Sequence, residues 1–313
     1  MSEIFTNSVN AVMPLFLLML CGYVAKLTGI LHRENVAMIN KVVFNAFIPV
    51  MVVYNIYSSD ISSSLRPDFI AYAVAGLVAE CLIARLLVGL VTKQRWQQGV
   101  VIQAMYRTSI ALVGIQLLGN LVPGADLGPL SVLTVFSTLV INTQSVITLE
   151  LYNGKQPDFK QLLIDILKNP LIIGCFVAIV LAVARIKLPV FVESTMQDIA
   201  KMASPLSLFL LGAFFQFEGL RRHLRMLVPI CVMRLMVFPA IFLGLGAVLG
   251  FRGIYFASLI PVFATATAVP SFVMVQQMGG DEELAGDIVV ATSFLSPLTI
   301  FFWCFLFQML NVF

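Results

Sequence analysis

Apolar residues along this chain gather into ten long runs separated by short polar connections, at roughly 8–28, 35–57, 68–91, 97–119, 127–151, 168–185, 190–216, 224–249, 253–277 and 285–311. Each is close to the ~20 residues that a helix needs to cross the hydrocarbon of a bilayer. The pattern predicts an all-α membrane protein with ten transmembrane helices. Lys and Arg favour the cytoplasmic side in short loops. Ten of them (Lys26, Arg33, Lys93, Arg95, Lys155, Lys160, Lys168, Arg221, Arg222, Arg225) follow runs 1, 3, 5 and 7, against four (Arg66, Arg185, Lys187, Arg252) on the opposite side. An even number of spans then places both termini outside the cytoplasm, in a multi-pass protein of the plasma (cytoplasmic) membrane.

The longest polar connection, Asn153-Gly-Lys-Gln-Pro-Asp-Phe-Lys-Gln, comes after an odd number of runs, so the second half enters the membrane in the opposite sense from the first. That is the geometry of two inverted five-helix repeats: residues 1–152, a cytoplasmic linker at 153–167, and residues 168–313. An offset of 156 carries Pro14 onto Pro170, Pro49 onto Pro205 and Asn45 onto Lys201. The same offset carries Arg107 to Phe263, beside a second unusual stretch, Thr265-Ala-Thr-Ala-Val-Pro270-Ser271.

These two stretches carry the candidate chemistry. In Gln103-Ala-Met-Tyr-Arg-Thr-Ser-Ile-Ala-Leu-Val-Gly-Ile-Gln116 a charged residue, Arg107, stands among small and hydroxyl residues halfway along an apolar run. A charge at the bilayer centre is disfavoured by roughly 2.5–3.5 kcal/mol and normally faces the protein interior or a wet cavity. Pro270 lacks a backbone donor and clashes with the preceding turn, so run 9 is expected to break there. A break within hydrocarbon persists only where its backbone groups are satisfied by protein or line a cavity. Paired interruptions in two halves point to a transporter's binding site. Crossing half-helices would bring positive dipole ends to the centre, and with Arg107 present the natural cargo is an anion.

Composition narrows the rest. The chain is 60% hydrophobic and 11% charged with mean hydropathy +0.98, whereas soluble domains are ~25% charged. The net charge of +3 is spread over short loops, which excludes a nucleic-acid reader. Cys21, Cys81, Cys175, Cys231 and Cys304 all sit in apolar runs with no CxxC spacing, and His32 and His223 have no metal-ligand neighbours in sequence, so no metal site is expected. The N-terminus lacks the basic region and cleavage site of a signal peptide, which predicts that the first run is retained. No Gly-Lys-Ser phosphate loop occurs, and neither histidine lies within a run where an intramembrane hydrolase would need it. The chain reads as a carrier rather than an enzyme. An anion channel or uncoupled uniporter is the alternative.

The run Tyr106-Arg107-Thr108-Ser109-Ile-Ala-Leu-Val-Gly114, with Pro261-Val-Phe-Ala-Thr-Ala-Thr-Ala-Val-Pro270-Ser-Phe-Val-Met, Met278-Gly-Gly-Asp-Glu-Glu-Leu-Ala285 and Ala291-Thr-Ser-Phe-Leu-Ser-Pro-Leu-Thr299, resembles the auxin efflux carrier family across essentially the whole chain. The likeness is to bacterial members related to plant PIN-type auxin carriers and to malonate and malate permeases, without the long central loop of the plant proteins. The resemblance implies ten helices in two inverted repeats, with broken helices 4 and 9 crossing at the membrane centre as in NhaA- and bile-acid-transporter-like folds. It also implies an elevator movement against a scaffold containing helices 1, 2, 6 and 7, and transport of small organic anions such as carboxylates or indole-type acids. As aligned, Ser109 stands where family members often carry Asn, and Gln116 where they carry Pro.

Two readings attach to most candidate residues. Arg107 binds the carboxylate of the cargo through parallel charge-assisted bonds, or pairs with Glu80 of run 3. Glu80 carries a proton or forms a static ion pair. The resemblance implies an acidic residue on helix 3 and a lysine on helix 7 near the crossover, matching Glu80 and Lys201. Lys201 substitutes there for a coupling sodium ion or snorkels to the outer interface. Asn45, Asn142 and Gln144 contact cargo or bond between helices, as such groups commonly do. Thr108, Ser109, Thr267, Pro270 and Ser271 complete the expected substrate-binding set. Arg234 has no assignment, and Asp287 is expected to sit at the positive end of the last helix. No cofactor is expected beyond a coupling H+ or Na+. Expected partners are the anion, the lipid bilayer and, in one arrangement, a second copy in a homodimer.

Overall fold

The structure, a computed structural model, describes residues 17–58, 66–110, 114, 117–118, 121, 128–152, 164, 167–184, 186–214 and 217–313. Pro14, Gln116 and nearly all of the central linker lie outside these residues. The apolar runs become helices: α1 Leu17–Leu27, α2 Arg33–Val42, α3 Ile48–Tyr57, α4 Pro67–Val91, α5 Arg95–Tyr106, α6 Gly128–Tyr152, α7 Pro170–Val183, α8 Val190–Phe214, α9 Phe217–Val232, α10 Phe238–Val248, α11 Gly253–Phe263, α12 Pro270–Met278 and α13 Glu282–Met309. Single π-helical turns, Val43–Phe47 and Met233–Val237, join α2 to α3 and α9 to α10. Five of the resulting segments are long and apolar enough to cross a membrane: Glu34–Tyr57, Pro67–Val91, Gly128–Tyr152, Arg222–Val248 and Glu282–Met309.

Helix boundaries follow local chemistry. Pro67, Pro170 and Pro270 are first residues of α4, α7 and α12, where the missing N–H is no loss and the fixed φ suits a helix. Asp281 caps α13, its side chain accepting from Leu284 N at 3.0 Å. Glu282 and Glu283 thus occupy the first turn. Asp287 lies further along, buried against His223 of α9 at 2.7 Å, which corrects its expected place at the helix start.

Polar contacts sort the connections onto two ends of the molecule. At one end Asn40 donates to Gln276, Gln97 to Asp281 (2.9 Å), Gln276 to Glu282 (3.1 Å) and Arg222 to Glu283. These bonds gather α2 with the starts of α5, α9 and α13. At the other end Arg66 and Phe69 pack on Phe251 and Tyr255, and Gly253 N donates to Val312 O at 2.9 Å. This brings the start of α4, the α10–α11 turn and the last residues together. The loops after runs 1, 3, 7 and 9 therefore share one end, and those after runs 2 and 8 share the other with the C-terminus.

Packing also divides the helices into two sets. The α2–α3 segment packs mainly on α7 and α8, while α4, α5, α6 and α9–α13 pack on one another. Helix α1 joins the first set through α8 at two glycines. A Cβ on Gly22 would lie 1.8 Å from Phe209 O, and one on Gly212 would lie 1.8 Å from Met19 O. Only glycine allows that backbone approach, the device that membrane helices use to pack closely.

Candidate functional site

Both unusual stretches are interruptions. Helix α5 stops at Tyr106 because Arg107 turns to extended backbone (φ −77°, ψ 108°), and the chain is helical again at Ile110. Helix α11 stops at Phe263, and α12 starts only at Pro270. The expected break at Pro270 is thus placed six residues earlier: proline opens the second half-helix instead of kinking the first. Within run 9 the interior Pro261 has no amide to donate, and its carbonyl becomes an acceptor for two threonines.

The two interruptions are bonded to each other. Thr108 and Thr267 form an antiparallel bridge, and Ala268 N donates to Arg107 O at 3.2 Å. Thr108 Oγ1 lies 2.6 Å from Thr265 Oγ1, and both hydroxyls lie within 2.9 Å of Pro261 O. Two hydroxyl protons serve three contacts, so one threonine donates to the carbonyl and the other donates to that threonine. Thr265 Oγ1 accepts from Ser109 N at 3.1 Å, Thr267 Oγ1 donates to Ala104 O at 2.8 Å, and Thr267 N donates to Thr292 Oγ1 at 3.2 Å. Threonines on each broken segment thereby satisfy backbone groups that the other leaves open, as a break at membrane depth requires.

Arg107 is 3% exposed. Its Nη1 donates to Ser145 Oγ at 2.7 Å and its Nη2 to Asn142 Oδ1 at 3.1 Å. Asn142, Ser145 and Thr148 recur every three residues of α6 and so form one stripe. Tyr106 Oη reaches Ser145 and Thr148, and Arg85 Nη2 donates to Thr148 Oγ1 at 3.2 Å. The α6 stripe thus receives two guanidinium groups and a phenol.

Glu80 does not pair with Arg107. Its Oε2 lies 3.5 Å from Nη1 of Arg234, and both side chains are fully buried. Arg234 lies in the π-turn Met233–Val237, and such turns re-aim side chains at functional positions. Its Nε donates to Thr265 O at 3.0 Å and its Nη1 also reaches Met105 O at 3.4 Å. One guanidinium therefore joins a carboxylate to a carbonyl from each interruption. Met105 O belongs to the last turn of α5 and Thr265 O lies two residues past the end of α11, where helix C-terminal ends favour a cation. Arg234 is the residue of this network that sequence reasoning left without a role. The signal was present, since it stands ten residues into an apolar run, the same anomaly that marked Arg107.

The remaining candidates divide. Ser109 is half-buried at the first interruption, and Pro270 and Ser271 are buried at the start of α12. Ser271 Oγ has no hydrogen-bond partner among the described residues, and neither has the buried Gln144 Oε1. The first amides of α12 are engaged, Ser271 N with Ala268 O and Phe272 N with Val269 O, so the anion-attracting end expected there is largely closed by its own turn. Asn45 is exposed and donates to Lys41 O at 2.7 Å, outside this network. Lys201 is exposed on α8 and also stands apart from it. The cation beside Glu80 comes from run 8, not run 7.

A family model described as "Membrane transport protein" matches residues 7–304. An uncharacterized transporter of Methanothermobacter thermautotrophicus is 24% identical over 304 residues, covering 94% of this chain and 95% of the relative. An uncharacterized transporter of Methanocaldococcus jannaschii is 25% identical over 316 residues, covering 94% and 97% respectively.

Proposed function

The chain belongs to the membrane transport protein family, the auxin efflux carriers that its motifs resemble, and from that premise we propose that it is a secondary-active carrier of small organic anions. Carboxylates and indole-type acids are the cargo class, and the plasma membrane is the site of action. The observation that carries this reading is the pair of interrupted helices, bonded to each other with buried Arg107 at the first break. A guanidinium offers two parallel donors to a carboxylate, which a lysine does not. Asn142 and Ser145 accept from that guanidinium, and the carboxylate of the cargo competes with them for its donors.

The packing division supports an elevator movement. The set formed by α4, α5, α6 and α9–α13 contains both interruptions and is the moving body, while α1, α2–α3, α7 and α8 form the scaffold. An inverted repeat is supported by contacts across the halves. Glu80 and Arg234 are 154 residues apart, Thr108 and Thr265 are 157 apart, and Thr108 and Thr267 are 159 apart, all near the 156-residue offset of the prolines. Elements related by a two-fold axis touch their own counterparts where they meet it, as in an isologous interface. Ten spans with both termini outside also agree with the connections that share each end. Glu80 is the group that carries a coupling proton, with Arg234 as its counter-charge.

Counterflow in proteoliposomes tests the carrier. Labelled mono- or dicarboxylate is expected to enter faster when unlabelled substrate is loaded inside, whereas a pore gives no such acceleration. Arg107→Ala is expected to lower uptake by about 100-fold or more while the protein elutes as a normal monodisperse species, in line with losing a charge-assisted anchor of the cargo. Unchanged transport kinetics in that variant would remove Arg107 from the site.

A further inference from the structure

Four fully buried residues meet where the interruptions are joined. The guanidinium of Arg234 lies among Glu80 Oε2, Met105 O and Thr265 O. The fit is one of charge more than of directed bonding. A guanidinium carries five N–H donors in a rigid fork, but only Nε makes a bond of ordinary length, 3.0 Å to Thr265 O. Nη1 is 3.4 Å from Met105 O and 3.5 Å from Glu80 Oε2, against about 2.9–3.0 Å for a typical N–H···O bond. Nη2 has no hydrogen-bond partner among the described residues, and neither has Glu80 Oε1.

Without the guanidinium, the same oxygens are the ligand set of a metal cation. Two belong to one carboxylate. The other two are main-chain carbonyls in or just past the last turn of a helix, one from each interruption. Hard cations take carboxylate and carbonyl oxygens. In transporters with broken helices, carbonyls so placed coordinate the coupling cation. The positive charge that fills this place comes from a third element, the π-turn Met233–Val237, which belongs to neither interruption.

We propose that Glu80, Met105 O and Thr265 O form a monovalent-cation site whose occupant is covalently attached, the Arg234 head standing where a dissolved Na+ would otherwise bind. The two interruptions then need no metal ion to hold them together, and shortening Arg234 turns the place into a Na+ site. The site is read from geometry alone. Its consequence, that Na+ is not the coupling ion, rests on the carrier reading above and goes beyond the proton role given there to Glu80.

Thermal unfolding of the detergent-solubilised full chain, in NaCl or in choline chloride at the same ionic strength, tests the site without any transport. The parent is expected to melt at one temperature in both salts. Arg234→Ala is expected to melt lower than the parent in choline and to regain about 3–6 °C in NaCl at roughly ten times its Kd for the ion. Arg234→Ala with Glu80→Gln removes the carboxylate ligand and is expected to melt alike in the two salts. If Arg234→Ala yields no monodisperse protein in choline, its recovery as a monodisperse species on solubilisation in NaCl is the same result. A parent stabilised by Na+ over choline, an Arg234→Ala variant indifferent to the salt, or a Na+ effect that survives loss of the Glu80 carboxylate would overturn the proposal. Counterflow by the parent is expected to run equally fast in the two salts, and acceleration by Na+ would also overturn it. Absence of counterflow in both salts, with the Na+ effect on Arg234→Ala intact, would instead count against the carrier reading alone.

Discussion

Replacing Arg234 by methionine keeps an unbranched stem of similar length and removes the guanidinium. Three acceptors lose their donor together: Glu80 Oε2, Met105 O and Thr265 O. The dominant effect is the Glu80 carboxylate, which is fully buried and would lose its counter-charge. Breaking a buried pair from one side costs about 3–5 kcal/mol. The two carbonyls add at most about 1–3 kcal/mol each before relaxation, and because all three share one network the sum is not additive. In soluble domains of 150–250 residues, 1 kcal/mol moves Tm by about 2–4 °C. On that scale Arg234→Met is expected to melt about 6–20 °C lower when detergent-solubilised protein is followed by fluorescence-detected size exclusion after heating. Adding Glu80→Gln removes the stranded charge and is expected to restore roughly half of the loss, since neutral replacement of both partners is often tolerated. A single variant melting within about 2 °C of the parent, or a double variant no better than the single, would refute the claim that this pair holds the interruptions together.

Further outcomes follow from the same contacts. Glu80→Gln alone is expected to flatten the pH dependence of uptake if Glu80 carries the coupling proton, and a pH profile like that of the parent would reject that role. Gly22→Ala and Gly212→Ala each place a methyl 1.8 Å from a facing carbonyl oxygen. Each is expected to destabilise by at least the 1–3 kcal/mol typical of overpacking, and an unshifted melting curve would show that α1 and α8 separate without penalty.

Much of the architecture was legible because its causes are local. Segment boundaries follow from lengths of apolar sequence, and both interruptions announced themselves by a charge or a proline that hydrocarbon does not tolerate. The position of the second break was not legible, because Pro270 is equally compatible with ending a helix and with starting one, and only the bonds of Thr265 and Thr267 decide. The partner of Arg107 was hidden for a related reason. Glu80 is the nearest acid by run, but Asn142 and Ser145 reach the guanidinium from α6, and uncharged groups leave little mark in a sequence. Arg234 was visible as an anomaly yet lacked meaning without the carbonyls it joins, and a π-turn that re-aims it has no sequence signature in a single chain. Lys201 is the converse case: the resemblance suggested a place beside Glu80 or a side chain snorkelling to the interface, and its exposure on α8 agrees with the second.

The link between Thr108 and Thr267 runs from main chain to main chain, and its neighbours Arg107 and Ala268 extend it in the same way. Such a clasp is indifferent to most side chains around it. Substitutions beside the interruptions at Ser109, Asn142 or Ser271 would leave the fastening closed. A lineage can then change its cargo without first surviving an unlatched ancestor, and kinship in this fold would be a poor guide to what is carried.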